Sequence, residues 1–120
     1  MGKLYHDYAA YRDRMNKKIL ETENNAIKRF FAVDTLTYHD GALPTKTKEM
    51  LGLACSMVLR CDDCIRYHAV KCKEQGISRN EFFEIFSVAL TVGGSIVMPH
   101  IRRALEFLED IEDEIPGVKN

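Results

Sequence analysis

Apolar residues recur at three- and four-residue steps along almost the whole chain, and no stretch alternates apolar with polar residues convincingly at period two. That pattern suits helices laid on a common core and leaves no segment suited to a half-buried strand. The expected fold is all-α, with about six helices. Leu4, Tyr8, Tyr11, Met15, Ile19 and Leu20 line one side of a first helix over Leu4 to Glu23, with Arg12, Arg14, Lys17 and Lys18 between them. Asn24-Asn25 offers a cap for a second, in which Ala26, Ile27, Phe30, Phe31, Val33 and Leu36 carry the pattern to His39-Asp40-Gly41. After a short loop to Pro44, Thr45 is placed as the cap of a third helix with Met50, Leu51, Leu53, Ala54, Met57 and Val58 inward, up to Arg60-Cys61-Asp62.

The fourth helix runs from about Asp62 to Gln75, with Gly76 as its stop signal. Ser78-Arg79-Asn80-Glu81 has the Ser-x-x-Glu form of a capping box, so the fifth helix begins near Arg79. It ends around Gly93-Gly94, and Ser95 is placed as the cap of a last helix to roughly Glu112, with Pro99 tolerated in its first turn. Pro116-Gly117 is expected to close the ordered chain. The fifth helix is apolar almost all round, through Phe82, Phe83, Ile85, Phe86, Val88, Ala89, Leu90 and Val92. A small domain has too few elements to cover every face of such a helix, so a homo-oligomer is expected.

With 120 residues, the chain reads as a single domain over 1–120. Its 17 Lys and Arg against 18 Asp and Glu leave a net charge of −1, which removes the electrostatic basis for indiscriminate nucleic-acid binding. The most apolar stretch, Phe86 to Met98, is interrupted by Ser87, Thr91 and Gly93-Gly94. It falls short of the roughly 18 apolar residues that a membrane helix needs. No secretory signal is visible after Met1, so the expected location is cytoplasmic.

Four cysteines in a chain of this kind point to catalysis or metal binding rather than to a disulfide framework. Cys61-Asp62-Asp63-Cys64-Ile65-Arg66-Tyr67-His68 places Cys61, Cys64 and His68 on one face of the fourth helix. Cys61 falls near the helix N-terminus, where the dipole favours a thiolate, and the imidazole one turn past Cys64 can take or return a proton. The three read as a redox dithiol with its own acid–base group. Asp62 and Asp63 work against it, since their charge disfavours a further anion on the adjacent sulfurs.

Zinc is a weaker reading. Its obvious fourth ligand, Cys72, lies two turns beyond Cys64, too far for one tetrahedral ion. No metal or other cofactor is expected. A thioredoxin fold would place the pair after a strand, and haem attachment would need His where Ile65 stands. The bland alternative is two buried cysteines beside a core histidine. Cys55 and Cys72 read as packing residues, and His6, His39 and His100 as surface or capping residues. Tyr67 fits either packing or the rim of a pocket.

With these residues in place, the segment from about Gly41 to Asp110 resembles the alkylhydroperoxidase D-like branch of the carboxymuconolactone decarboxylase superfamily. That pattern has a Glu, a Cys-x-x-Cys twelve residues later and a His four residues after the second Cys, matched here by Glu49, Cys61, Cys64 and His68. Gly41-Ala42-Leu43, Gly76 and Gly93-Gly94 fall in register with it, while Asp62-Asp63 depart from the aromatic or histidine more usual before the second Cys. The resemblance implies an orthogonal or antiparallel helical bundle in a cyclic oligomer, a trimer or hexamer. It also implies a peroxide-reducing dithiol whose reversible Cys61–Cys64 disulfide is the redox centre, acting on an organic hydroperoxide or hydrogen peroxide. Cys64 would attack, Cys61 resolve, and Glu49 orient His68, with a thioredoxin-like or lipoyl-type dithiol as external electron donor. A decarboxylase-like lyase and a non-enzymatic, redox-responsive binding protein are the competing functions.

Overall fold

Several helix ends are set by local devices that the sequence encodes. In the computed structural model, which describes residues 2–112, 114 and 115, the elements are α1 (Lys3–Glu21), α2 (Asn25–Thr37), α3 (Thr45–Val58), α4 (Asp62–Glu74), α5 (Arg79–Gly93) and α6 (Met98–Ile111). A single 3-10 turn, Ser95–Val97, joins the last two, and the described residues contain no strand. Pro116-Gly117 lie outside the described residues.

Asn24 caps α2 by accepting from the Ile27 amide at 3.0 Å. Ser78 and Glu81 form the full capping box of α5, Ser78 N donating to Glu81 Oε1 at 2.8 Å and Glu81 N to Ser78 Oγ at 3.2 Å. Gly76 leaves α4 at φ 81°, which brings the Ile77 amide onto the Cys72 carbonyl and folds Ile77 into the core.

Helix α1 stops at Glu21 rather than Glu23, and three further boundaries differ from the expectations. Helix α2 ends at Thr37 rather than running to His39-Asp40-Gly41, because the Lys48 ammonium takes the carbonyls of Thr37 (2.9 Å) and His39 (2.7 Å). Thr45 is the first residue of α3, not its cap: Asp40 Oδ1 accepts from the Thr45 amide at 2.7 Å, and the Thr45 hydroxyl turns back to the Tyr38 carbonyl. Ser95 opens the 3-10 turn without a side-chain cap bond, and α6 starts three residues later with Pro99 in its first turn.

The core forms where α3 packs on α4 and α5, α4 on α6, and α1 along α6. Leu53, Met57, Ile65, Cys72, Ile77, Phe82, Val97, Phe107 and Ile111 are completely or almost completely buried in it. Leu51, placed inward by the sequence reading, is instead 52% exposed. The Asp110 carboxylate accepts from the amides of Gly2 and Tyr5, holding the start of α1 to α6. Helix α2 buries none of its residues, and Phe30 and Leu36 on it are two-thirds exposed. On α5, Val88 and Val92 are likewise exposed, as its all-round apolar pattern led us to expect.

Candidate functional site

The chain passes from α3 to α4 through Arg60 in the left-handed conformation (φ 61°), which sends the Cys61 amide back to the Ser56 carbonyl. Cys61 is then the N-cap of α4, its sulfur accepting from the Cys64 amide at 3.2 Å. The same sulfur is bonded to that of Cys64 in a disulfide, with the two Cα atoms 5.3 Å apart. Both residues are half-buried at the surface end of the helix.

One turn beyond Cys64, His68 lies on the same ridge, its side chain 12% exposed. Glu49, from the second turn of α3, is buried, and its Oε1 lies 2.8 Å from His68 Nδ1. A carboxylate has no hydrogen to give, so Nδ1 carries the proton in this bond and Nε2 is the nitrogen left for other partners. The structure thus brings Glu49 to His68 and Cys61 to Cys64, on helices packed directly against each other.

Two residues that periodicity could not reveal complete the surroundings. The Tyr38 hydroxyl, just past α2, lies 3.5 Å from His68 Nε2, and the two rings are 5.3 Å apart. Burial first, and the Glu49 charge second, raise the Tyr38 phenol above its ordinary range, so it stays a neutral hydroxyl. Gly52 makes this approach possible. A Cβ there would come within 2.8 Å of both His68 Cε1 and the Tyr38 hydroxyl. Glycine inside a helix costs about 1 kcal/mol relative to alanine, and that cost was the available signal of a close contact.

A polar cavity of about 320 Å³ opens beside the pair, lined among others by Tyr38, Thr45, Glu49, Tyr67 and Lys71. Tyr67 is therefore a rim residue: it meets His68 edge-on, and the Arg12 guanidinium stacks on it at 4.1 Å. Cys72 is fully buried in the core, and burial above all pushes its thiol up to about 12, as suits a packing residue. Cys55 is not one. It is exposed on a wholly apolar groove of about 460 Å³ between α3 and α5, beside Ala54, Val58, Leu59, Val88 and Val92.

The remaining histidines divide. His6 and His39 are exposed, His6 with its Nε2 3.1 Å from Glu114 Oε2, whereas the His100 side chain is only 12% exposed, its Nδ1 2.8 Å from Asp62 Oδ1. Arg103 Nε donates to the other oxygen of Asp62 at 3.0 Å. Burial alone would raise the Asp62 carboxyl. The bond to His100 and the charge of Arg103 outweigh it and hold the group below the usual carboxylate range. Asp63 has Arg12 at 3.8 Å. The two carboxylates expected to burden the sulfurs therefore each face a guanidinium.

The domain is all-helical and aligns a disulfide, an imidazole and a buried carboxylate across two packed helices. The chain belongs to the carboxymuconolactone decarboxylase family, whose model matches residues 25–109. It is 48% identical to a family protein from Thermotoga maritima described as "possibly involved in antioxidative response"; the match covers 89% of this chain and 91% of that one, with a TM-score of 0.84. A family protein from Legionella pneumophila, solved in its apo form, is 26% identical with a TM-score of 0.74, over 94% and 97% of the two chains. An uncharacterised protein of the Paracoccus denitrificans cox locus is 28% identical, over 69% of this chain and 75% of its own. Among the described residues no helix is long and apolar enough to cross a membrane.

Proposed function

We propose that this protein is a thiol-dependent hydroperoxide reductase of the alkylhydroperoxidase D-like type. The observation that carries the reading is the buried Glu49–His68 pair set one helical turn from a Cys-x-x-Cys disulfide. The antioxidative response named for the Thermotoga maritima relative is consistent with it.

In the reduced protein, His68 Nε2 takes the proton of Cys64, directly or through a water, while Glu49 stabilises the imidazolium that results. The thiolate attacks the peroxide O–O bond. Sulfur gains oxygen as a sulfenic acid, and the departing alkoxide takes the proton back from His68 to leave as an alcohol. Cys61 then displaces hydroxide from the sulfenic sulfur, closing the disulfide and releasing water. An external dithiol, thioredoxin-like or lipoyl-type, restores both thiols by exchange. The chemistry requires no metal or other cofactor. Cys64 is assigned the attack because His68 lies one turn from it, and Cys61 the resolving role.

The exposed faces of α2 and α5 support a homo-oligomer, a trimer or hexamer, in which the groove beside Cys55 receives apolar side chains such as Phe30 and Leu36 of another copy. Turnover of cumene hydroperoxide with a dithiol donor tests the reaction. Activity lost in Cys64→Ser, with one equivalent of peroxide linking Cys61 to Cys64 by mass spectrometry, is the expected result. Equal turnover in that variant overturns it, and lyase activity independent of both cysteines would give the site to a decarboxylase. Negligible peroxide consumption together with an oxidation-dependent shift in sedimentation would make the disulfide a binding switch.

A further inference from the structure

The residue directly after the capping cysteine is tied to a different helix from the one that carries Glu49. Asp62, in the first turn of α4, is gripped by two α6 side chains one turn apart: His100 Nδ1 at 2.8 Å on one oxygen and Arg103 Nε at 3.0 Å on the other. Arg103 Nη2 also lies 3.2 Å from His100 Nδ1, so the three form one cluster.

We propose that Arg103 is a positioning residue for the dithiol, supplying the counter-charge that cancels Asp62 and so keeps the thiolate accessible at the start of α4. The inference deepens the peroxidase reading and rests on it. A carboxylate one residue from Cys61 opposes ionisation of either sulfur and offsets the helix dipole that favours it. A guanidinium held on that carboxylate removes most of the opposition. Of the other charged residues beside the dithiol, Asp63 faces Arg12 from α1 at 3.8 Å, His68 faces Glu49 from α3 at 2.8 Å, Arg66 lies over the Phe107 ring, and Arg60 precedes Cys61 on the exposed turn without touching Asp62. Arg103 is thus the charge whose loss leaves Asp62 uncompensated by any other guanidinium in contact with it. His100 is largely enclosed and holds the carboxylate in place, whereas Asp62 and Arg103 are each a little under half exposed, so both positions tolerate substitution.

The test uses the full-length protein reduced with excess dithiol, without any peroxide. Thiolate absorbance is followed against pH, and the rate of alkylation by iodoacetamide, in which the thiolate displaces iodide, is read near neutrality. In Arg103→Gln the thiolate is expected to appear at higher pH and alkylation to slow about threefold or more. In Asp62→Asn both are expected to move the opposite way, and Arg103→Lys to restore wild-type behaviour by charge alone. A purely structural clamp gives the contrary pattern, because both neutral variants break the same ion pair and would shift the same way. Shifts of equal sign, or no shift in either, overturn the proposal. If Asp62→Asn loses helical circular dichroism, the Arg103→Gln and Arg103→Lys pair still decides the sign. Because no peroxide is present, a failed peroxidase assay and a failed charge effect are separate results.

Discussion

His68 Nδ1 and Glu49 Oε1 are 2.8 Å apart although their residues lie on different helices, α4 and α3, and both side chains are almost fully out of water. A buried carboxylate without a partner would cost several kcal/mol, so the contact holds the ring in one orientation as well as stabilising its proton. Glu49→Gln keeps the shape and removes the charge. Peroxide turnover is expected to fall by about 100-fold, in the range of general acid–base effects, while the Cys61–Cys64 disulfide still forms with a strong oxidant such as diamide. A variant with undiminished kcat/KM would remove His68 from the proton path.

Gly52 tests the geometry from the other side. In most helix interiors Gly→Ala stabilises by about 1 kcal/mol. Here the added carbon would lie 2.8 Å from His68 Cε1 and from the Tyr38 hydroxyl, so the ring or the phenol must move. Gly52→Ala is expected to destabilise the protein by about 1–3 kcal/mol, as overpacking does, and to lower turnover with it. Denaturant unfolding gives the first quantity, and a midpoint above wild type would contradict the close approach.

How far the sequence carried these conclusions depended on the kind of force at each position. The cysteines and His68 are linked by local helical geometry, so their common ridge was legible from spacing, as were the Asn24 cap and the Ser78–Glu81 box. Glu49 came from resemblance, because nothing local distinguishes it from a solvated helix carboxylate. Tyr38, His100 and Arg103 reach their partners through tertiary packing across 30 or more positions, which no periodicity records. Cys55 was misplaced for a related reason. An apolar neighbourhood on α3 reads as core from the sequence, whereas in the fold that side of the helix is open.

The two free thiols should separate chemically. Cys72 is fully buried and its thiol is raised to about 12, so the native protein should leave it unreacted with a maleimide at neutral pH and expose it only on unfolding. Cys72→Ser should cost about 1–3 kcal/mol by burying a hydroxyl in an apolar site, with the redox pair untouched. Labelling of Cys72 at the rate of an exposed thiol, read by peptide mapping, would show that the α4 core opens readily.

Acid should weaken the fold through three carboxylates that hold caps and clamps. Asp40 is held below its ordinary range above all by the amide of Thr45, and Glu81 by the amide and hydroxyl of Ser78. Asp62 is lowered because His100 and Arg103 outweigh its burial. A carboxyl whose folded value lies below its unfolded one contributes stability above the unfolded value and loses it as pH falls through the folded one. With unfolded values near 4, the stabilisation should be intact at pH 6 and fade progressively below about pH 4. Asp40 and Glu81 are exposed and Asp62 is partly so, which makes the slope shallow and sensitive to salt. Asp62→Asn should flatten the acid limb of a thermal-melting profile measured from pH 2 to 6, by removing the proton uptake that links unfolding to pH. An unchanged slope in that variant would mean that the carboxylate titrates alike in the folded and unfolded chains, and that the α6 clamp exerts no electrostatic hold on the start of α4.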